Sequence, residues 1–316
     1  MPTNGRITGL GHALVDVLVQ VDPAVIERHG LAHGGMHLVD AMAADALYGE
    51  IGPGVTQSGG SVANTIAHIG GAGQPTAFLG HVANDPLGAA FVEDMATLGV
   101  QVPGARRETP ATGRCVVMVT PGGERTMSTY LGAASTLDGG IAAAMPEDTG
   151  WLVVEGYVFD APAGPEAIEA AVARARALGA KVALTPSDRG CVGRHLAAMR
   201  AFIEAPCDVL VGNEAEMMAL AGVSDPAEAL TWAAAHAETA VVTLSERGAI
   251  AARGADRAPV PAVPGVEVVD TTGAGDAFAA GFISALAGGQ GIEAAAAAGC
   301  ALAGRVVAYI GARQPG

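Results

Sequence analysis

Four short runs constrain this chain more than anything else in it: WLVVE (Trp151–Glu155), VAL (Val182–Leu184), VLV (Val209–Val211) and AVVT (Ala240–Thr243). Each is rich in apolar, mostly β-branched residues and lacks the polar alternation of a strand with one wet face. Each therefore reads as a strand buried on both sides. Between them lie helical stretches at Pro165–Leu178, Arg194–Glu204 and Asn213–Ala221, the last stopped by Gly222. Strands and helices in that alternation imply an α/β fold with a predominantly parallel central sheet covered on both faces.

Two segments break the rhythm. His12–Val21 alternates, with Ala13, Val15, Val17 and Val19 on one face and Leu14, Asp16, Leu18 and Gln20 on the other. Thr112–Thr120 and Glu124–Tyr130 read as strands joined by a hairpin at Pro121-Gly122-Gly123. With Met36–Val39 they are expected to build a small separate sheet of four strands. No repeat and no Ser/Pro-rich linker interrupts the chain, so residues 1–316 read as a single domain. The small sheet, from about 14–40 and 108–131, is an insertion in it. Asp85-Pro86 opens a helix running to Gly99, with aspartate as its cap and proline at its first position.

Composition excludes several classes. Lys and Arg total 17 against 32 Asp and Glu, a net charge of −15, which argues against a nucleic-acid partner. Lys181 is the only lysine. A Walker A loop and a protein-kinase fold each require a lysine at a set place, so neither fits; Lys181 itself reads as a charge at a strand start. The cysteines (Cys115, Cys191, Cys207 and Cys300) are far apart and read as buried free thiols in a reducing cytoplasm. The opening MPTNGRITGLGHALVD has no unbroken apolar stretch of the signal-peptide kind. Ile292–Ile310 contains Glu293 and Arg305 and reads as a buried helix, not a membrane span.

Three constellations can carry chemistry. In Val269–Phe282, VDTTGAGDAFAAGF, a turn of small residues runs straight into a helix beginning near Asp276. Small residues let a ligand approach the backbone, and the helix start offers free N–H groups to an anion. Asp276 either caps the helix or takes a proton from an alcohol attacking a bound phosphate. The third glycine of a dinucleotide fingerprint is replaced by Phe278. In Gln57–Asn64, QSGGSVAN, two glycines precede a helix whose first turn carries Asn64; the run is either an ordinary glycine turn or a grip on hydroxyls. Asp16 is either an edge charge or a partner for a sugar diol. Asn213 and Glu216 follow a strand directly and share a helix face, as plain helix-start residues or as a site for Mg²⁺ held through water. His29, His33 and His37 have metal-like spacing, but Gly30, Gly34 and Gly35 break any helix through them.

Gly59-Gly60 with Asn64, Gly80-x-Val82-x-x-Asp85-x-x-Gly88, Asn213-x-x-Glu216 and Asp270-Thr271-Thr272-Gly273-Ala274-Gly275-Asp276 stand in the order and spacing of the ribokinase-like (PfkB) sugar and nucleoside kinases. The chain resembles that family over essentially its whole length. The stretch TMSTYLGAAS with Glu155-Gly156-Tyr157 is similar to a bacterial adenosine-kinase-like branch. The resemblance implies a three-layer α/β/α core with a β-strand lid over the acceptor, ATP as co-substrate, Mg²⁺, and a homodimer formed through the lid. It makes Asp276 the catalytic base, with Gly273, Ala274 and Gly275 as the anion hole. Asp16, Gly59, Gly60 and Asn64 would hold the acceptor. Asn213, Thr243, Ser245, Gly248, Gly275 and Gly299 would bind ATP, and Asn213 and Glu216 would organise Mg²⁺. Asp270 and Thr272 would ligate K⁺. The family usually has glycine where Ser245 stands.

The expected activity is transfer of a phosphoryl group from ATP to a primary hydroxyl of a ribosyl compound, foremost the 5′-hydroxyl of adenosine. A kinase of free ribose or fructose is the alternative. A non-catalytic nucleoside-binding regulator would have no use for Asp276 beside the glycine turn. The lid is expected to present Val15, Val17 and Val19, with Val117 and Val119, as an apolar inner face.

Overall fold

A computed structural model describes residues 5–313 other than 53, 105, 122, 123 and 206. Nine strands form the main sheet, in the order Asp256–Val260, Ala249–Arg253, Thr239–Thr243, Val209–Asn213, Lys181–Thr185, Thr149–Glu155, Arg6–Leu10, Thr76–Leu79 and Val100–Gln101. The run from Thr239–Thr243 to Val100–Gln101 is parallel throughout, and the first two strands add antiparallel at one edge. The four runs read as doubly buried strands are its centre. Their successive side chains go to different cores. Val153, Ala183, Val209 and Val241 pack with Ser61–Gly71, Ala274–Ala287 and Ile292–Val306. Leu152, Val154, Val182, Leu184, Leu210 and Val242 pack with Gly164–Ala177, Arg189–Glu204, Glu214–Ala221 and Pro226–His236. An apolar residue is thus required on both sides of each strand, and the result is three layers.

Lys181 sits at its strand start, paired with Glu238. Asp85 caps Pro86–Thr97 by accepting from Gly88 N at 2.8 Å. Ile292–Val306 is a half-buried helix, and among the described residues no helix is long and apolar enough to cross a membrane. The four cysteines are free and buried.

A second sheet has five strands, not four: Met36–Leu38, Arg125–Tyr130, Gly113–Val119, Leu14–Gln20 and Val55–Gly59. The fifth, VTQSG, pairs antiparallel with Leu14–Gln20 and delivers Gly59 and Gly60. The turn expected at Pro121-Gly122-Gly123 falls at 122 and 123, outside the described residues, but the flanking strands pair antiparallel.

Of the residues expected to turn inward, Val117 and Val119 lie on the side of Asp16, but the face with Val15, Val17 and Val19 is the outer one. Val15 and Val17 are buried in the core cluster that also holds Ile26, Leu47, Val116 and Met118. Arg114, in register with Val15, lies over Tyr48 of the helix Ala41–Ile51, its guanidinium carbon 5.2 Å from the ring centre. Asp16 is on the opposite face with Leu14 and Leu18, and the register places Cys115, Val117, Met127 and Thr129 beside them. Alternation separated the two faces correctly, while the side carrying the carboxylate faces the glycine turn.

Candidate active site

The parallel strands end in the site, as open α/β sheets arrange it. Thr185, Asn213 and Thr243 close three neighbouring strands. Together with Ser61, Ser187, Gly212, Glu216, Gly275 and Asp276 they line a cavity of about 60 Å³. Asp276 stands in the first turn of Ala274–Ala287. Its Oδ1 accepts from Ser61 Oγ at 2.7 Å and its Oδ2 from Asn64 Nδ2 at 3.2 Å. The helix is entered through Gly273 at φ 73°, a left-handed conformation that glycine adopts without strain, and a side chain there would meet Ala312 at 2.6 Å. The first-turn N–H groups have no partner within the helix; that of Ala274 leans on Thr271 O at 3.2 Å, which leaves Gly275 and Asp276 as the freer donors.

Gly60, at φ 104°, turns the chain from the fifth small-sheet strand into the helix Ser61–Gly71. A side chain at Gly59 would strike the Asp16 carboxylate. Asp16, Gly59, Gly60 and Asn64 therefore lie beside Asp276. Ser61, one residue beyond those glycines, and Glu155 carry no role in the site from the sequence alone. Glu155 is wholly buried, its Oε1 accepting from His12 N at 2.7 Å and its Oε2 from Val62 N at 2.8 Å. It ties the helix start to the main sheet. Buried Arg313 is another such residue, held by Asp94 at 3.2 Å.

Burial dominates the electrostatics. It pushes the Asp276 carboxyl up to about 6, against the Ser61 and Asn64 hydrogen bonds and the charge of Arg313. It raises Asp16 to about 7, with Arg313 opposing and Asp276 adding. Glu155 also reaches about 7 by burial, against the two N–H bonds it accepts. Burial takes Glu216 to about 7 as well, helped by repulsion from Asp188 and Asp276. His12 is driven down to about 4 by burial, so its ring is neutral at pH 7.

Asn213 and Glu216 form a reciprocal cap: Glu216 N donates to Asn213 Oδ1 at 3.0 Å and Asn213 N to Glu216 Oε2 at 3.0 Å. Ser245 and Gly248 lie in the turn after Thr239–Thr243. Ser245 has φ 55°, so the position where relatives carry glycine keeps a glycine-like backbone. Gly299 is not at the cavity. It is buried where Ile292–Val306 crosses Ala274–Ala287, and a side chain there would meet the Phe278 ring at 2.8 Å, so helix packing accounts for it. Asp270 and Thr272, expected to flank a potassium ion, are bonded to each other, to Gly311 and to Arg125. The histidines at 29, 33 and 37 hold no metal cluster among the described residues.

A model of the pfkB family of carbohydrate kinases matches residues 43–315. This chain belongs to the pfkB family. It is an ATP-dependent kinase of sugars or nucleosides. Among solved structures it is similar to adenosine kinase from Sinorhizobium meliloti, 36% identical with a TM-score of 0.87, covering 98% of this chain and 96% of that one. It is also similar to a probable sugar kinase from Rhizobium etli CFN 42, 35% identical with a TM-score of 0.89, covering 98% and 95%. Adenosine kinase 1 of Arabidopsis thaliana is 27% identical over 350 residues, covering 99% of this chain and 96% of the relative. As a pfkB kinase the chain uses ATP as co-substrate and a nucleoside or a sugar as acceptor.

Proposed function

We propose that this kinase phosphorylates the 5′-hydroxyl of a nucleoside, adenosine foremost. The observation that carries the reading is the site-facing side of the small sheet. Beside the carboxylate of Asp16 and the polar Gln57 and Thr129, it presents Leu14, Leu18, Cys115, Val117 and Met127. A free sugar has hydroxyls all round, and against such a surface some stay unpaired at about 1–3 kcal/mol each. A nucleoside puts its ribose toward Asp16, Gly60 and Asn64 and its flat base on the apolar residues. Val15, Val17 and Val19, expected on that surface, lie on the other face, whereas Val117 and Val119 share the face of Asp16 as expected.

In this reading the small sheet is a lid that closes over the acceptor and excludes water. Asp276 accepts the proton of the attacking hydroxyl through one carboxylate oxygen while Ser61 and Asn64 hold the group in place. The N–H groups of Gly275 and Asp276 take up charge on the transferred phosphoryl group, which a lysine does in other kinase folds. Asn213 and Glu216 are the residues that would hold Mg²⁺ through water. They share with Asp276 a cavity with room for a few water molecules, and Glu216 is crowded by like charges that a cation relieves. A Mg²⁺ ion held there would supply positive charge against the phosphates. Exposed Met36, Leu38 and Val55 on the two edge strands of the small sheet suit pairing of two copies through the lid. The buried free thiols suit the cytoplasm.

The test is competition among adenosine, inosine, ribose and fructose at fixed ATP. Adenosine is expected to exceed either free sugar in kcat/KM by at least about tenfold, roughly 1.4 kcal/mol. Faster turnover of ribose or fructose overturns the nucleoside reading. Asp276→Asn is expected to lower kcat by about 10²–10⁴ with acceptor binding retained; near-normal turnover would reduce Asp276 to a helix cap.

A further inference from the structure

The turn that leads into the catalytic helix already contains a positive charge. Asp270 Oδ1 accepts from Thr272 N at 3.1 Å and Thr272 Oγ1 at 2.8 Å. Its Oδ2 accepts from Gly311 N at 2.7 Å and faces Arg125 Nη1 at 2.5 Å. The same Arg125 Nη1 donates to Thr272 Oγ1 at 2.8 Å. Both side chains of the ion pair are largely shielded, Asp270 8% and Arg125 15% exposed. Every side-chain oxygen that Asp270 and Thr272 could offer a monovalent cation already takes part in a hydrogen bond, and a guanidinium stands against them. A second positive charge would have to displace or repel it. The residues present therefore do not fit K⁺.

We propose that Arg125 is the built-in cation of this turn, filling the role that a monovalent ion would have. An ion at such a turn fixes its backbone and adds positive field beside the phosphate site. A guanidinium does both from a covalent tether, through charge-assisted bonds to two side chains at once. The tether adds something an ion cannot. Arg125 opens the strand Arg125–Tyr130, whose Met127 and Thr129 stand beside Val117 and Cys115 on the acceptor-facing side of the small sheet. One strand thus touches the acceptor surface with its middle and the turn with its first residue, and seating the small sheet seats the turn. Arg125 acts through Asp270 and Thr272 and is a positioning residue.

The inference rests on the kinase reading for its rate measurements but not for its melting temperatures. The first arm measures the rate and melting temperature of the unmodified protein in K⁺, Na⁺ and Tris⁺ at constant ionic strength. Rates within twofold and coincident melting temperatures are expected; activation by K⁺ of fivefold or more overturns the proposal. The second arm uses Arg125→Met. It is expected to lose at least tenfold in kcat with acceptor KM changed less than threefold, and to regain rate on addition of methylguanidinium. Its melting temperature is expected to rise with K⁺ where that of the parent does not. Unchanged kcat, or a loss that neither methylguanidinium nor K⁺ moves, overturns it. If Arg125→Met does not fold, Arg125→Lys is used. That variant keeps the charge but not the fork, and it is expected to retain cation indifference with kcat lowered severalfold; activation by K⁺ in it counts against the proposal. A protein that phosphorylates no acceptor at all refutes the kinase reading, and the melting temperatures still decide the cation question.

Discussion

Removing the Ser61 hydroxyl should shift the acid limb of the pH–rate profile toward neutrality. Asp276 must be ionised to accept a proton, so the rate falls as pH drops through its pKa. Burial sets that pKa near 6, and the hydrogen bonds from Ser61 and Asn64 keep it from rising further. The Ser61 bond is the shorter, 2.7 Å against 3.2 Å. A hydrogen bond to a charged group contributes about 1.5–3 kcal/mol, but Asp276 keeps some solvent contact and water replaces part of the loss. A net loss of about 1 kcal/mol corresponds to about 0.7 of a pH unit. In Ser61→Ala the limb should therefore move from about 6 to about 6.7. At pH 5.5 the ionised fraction falls from about a quarter to about one-sixteenth, so the variant should run about fourfold further below its own plateau than the parent. The assay is kcat from pH 5 to 8.5 with both ATP and acceptor saturating, so that ionisation of Asp16, which acts on acceptor binding, is kept apart from that of Asp276. A limb that stays in place or moves down while the plateau falls would refute the claim that Ser61 tunes the base.

Three further outcomes follow from the same geometry. Glu216→Gln should raise the Mg²⁺ needed for half-maximal rate more than it raises acceptor KM, and an unchanged Mg²⁺ titration would remove Glu216 from the metal's surroundings. Asp16, Asp276, Glu155 and Glu216 all have folded pKa values above their ordinary ones, so the folded state holds protons more tightly than the unfolded. Their contribution is complete below about pH 4 and is lost as pH rises through 6 and 7; urea denaturation should show at least about 2 kcal/mol more stability at pH 5 than at pH 8, and stability flat across that range would contradict it. Gly60→Ala places a side chain at φ 104° against the His12 carbonyl and should cost about 2–4 kcal/mol. Gly73→Ala, at φ 86° with open space around it, should cost only about 1 kcal/mol, and equal costs would mean that Gly60 is not confined.

What was legible in the sequence follows from how each part of the molecule is held. The central strands are apolar on both faces because helices lie on both, so WLVVE and AVVT declare themselves without context. The strand Val55–Gly59 does not. VTQSG lies at the edge of the small sheet, half exposed, and its backbone pairing with Leu14–Gln20 places it where no side-chain pattern could. The edge pair Ala249–Arg253 and Asp256–Val260 is hidden for the same reason. Alternation in Leu14–Gln20 distinguishes two faces but cannot say which one looks at the site, because valines under helices and leucines facing a ligand are equally apolar. Asp16 was the available clue, since a carboxylate that must reach an acceptor drags Leu14 and Leu18 to its side. The glycine turns were legible because φ values such as those of Gly60 and Gly273 leave little choice of residue. Ser61 to Asp276, Glu155 to Val62 and Arg125 to Asp270 are different in kind. They join residues 215, 93 and 145 positions apart, and a serine, a glutamate or an arginine carries no local mark of such a partner. Backbone demands are written locally and show in single residues, whereas the bonds that set the charge of Asp276 and steady its turn exist only after the strands have been brought together.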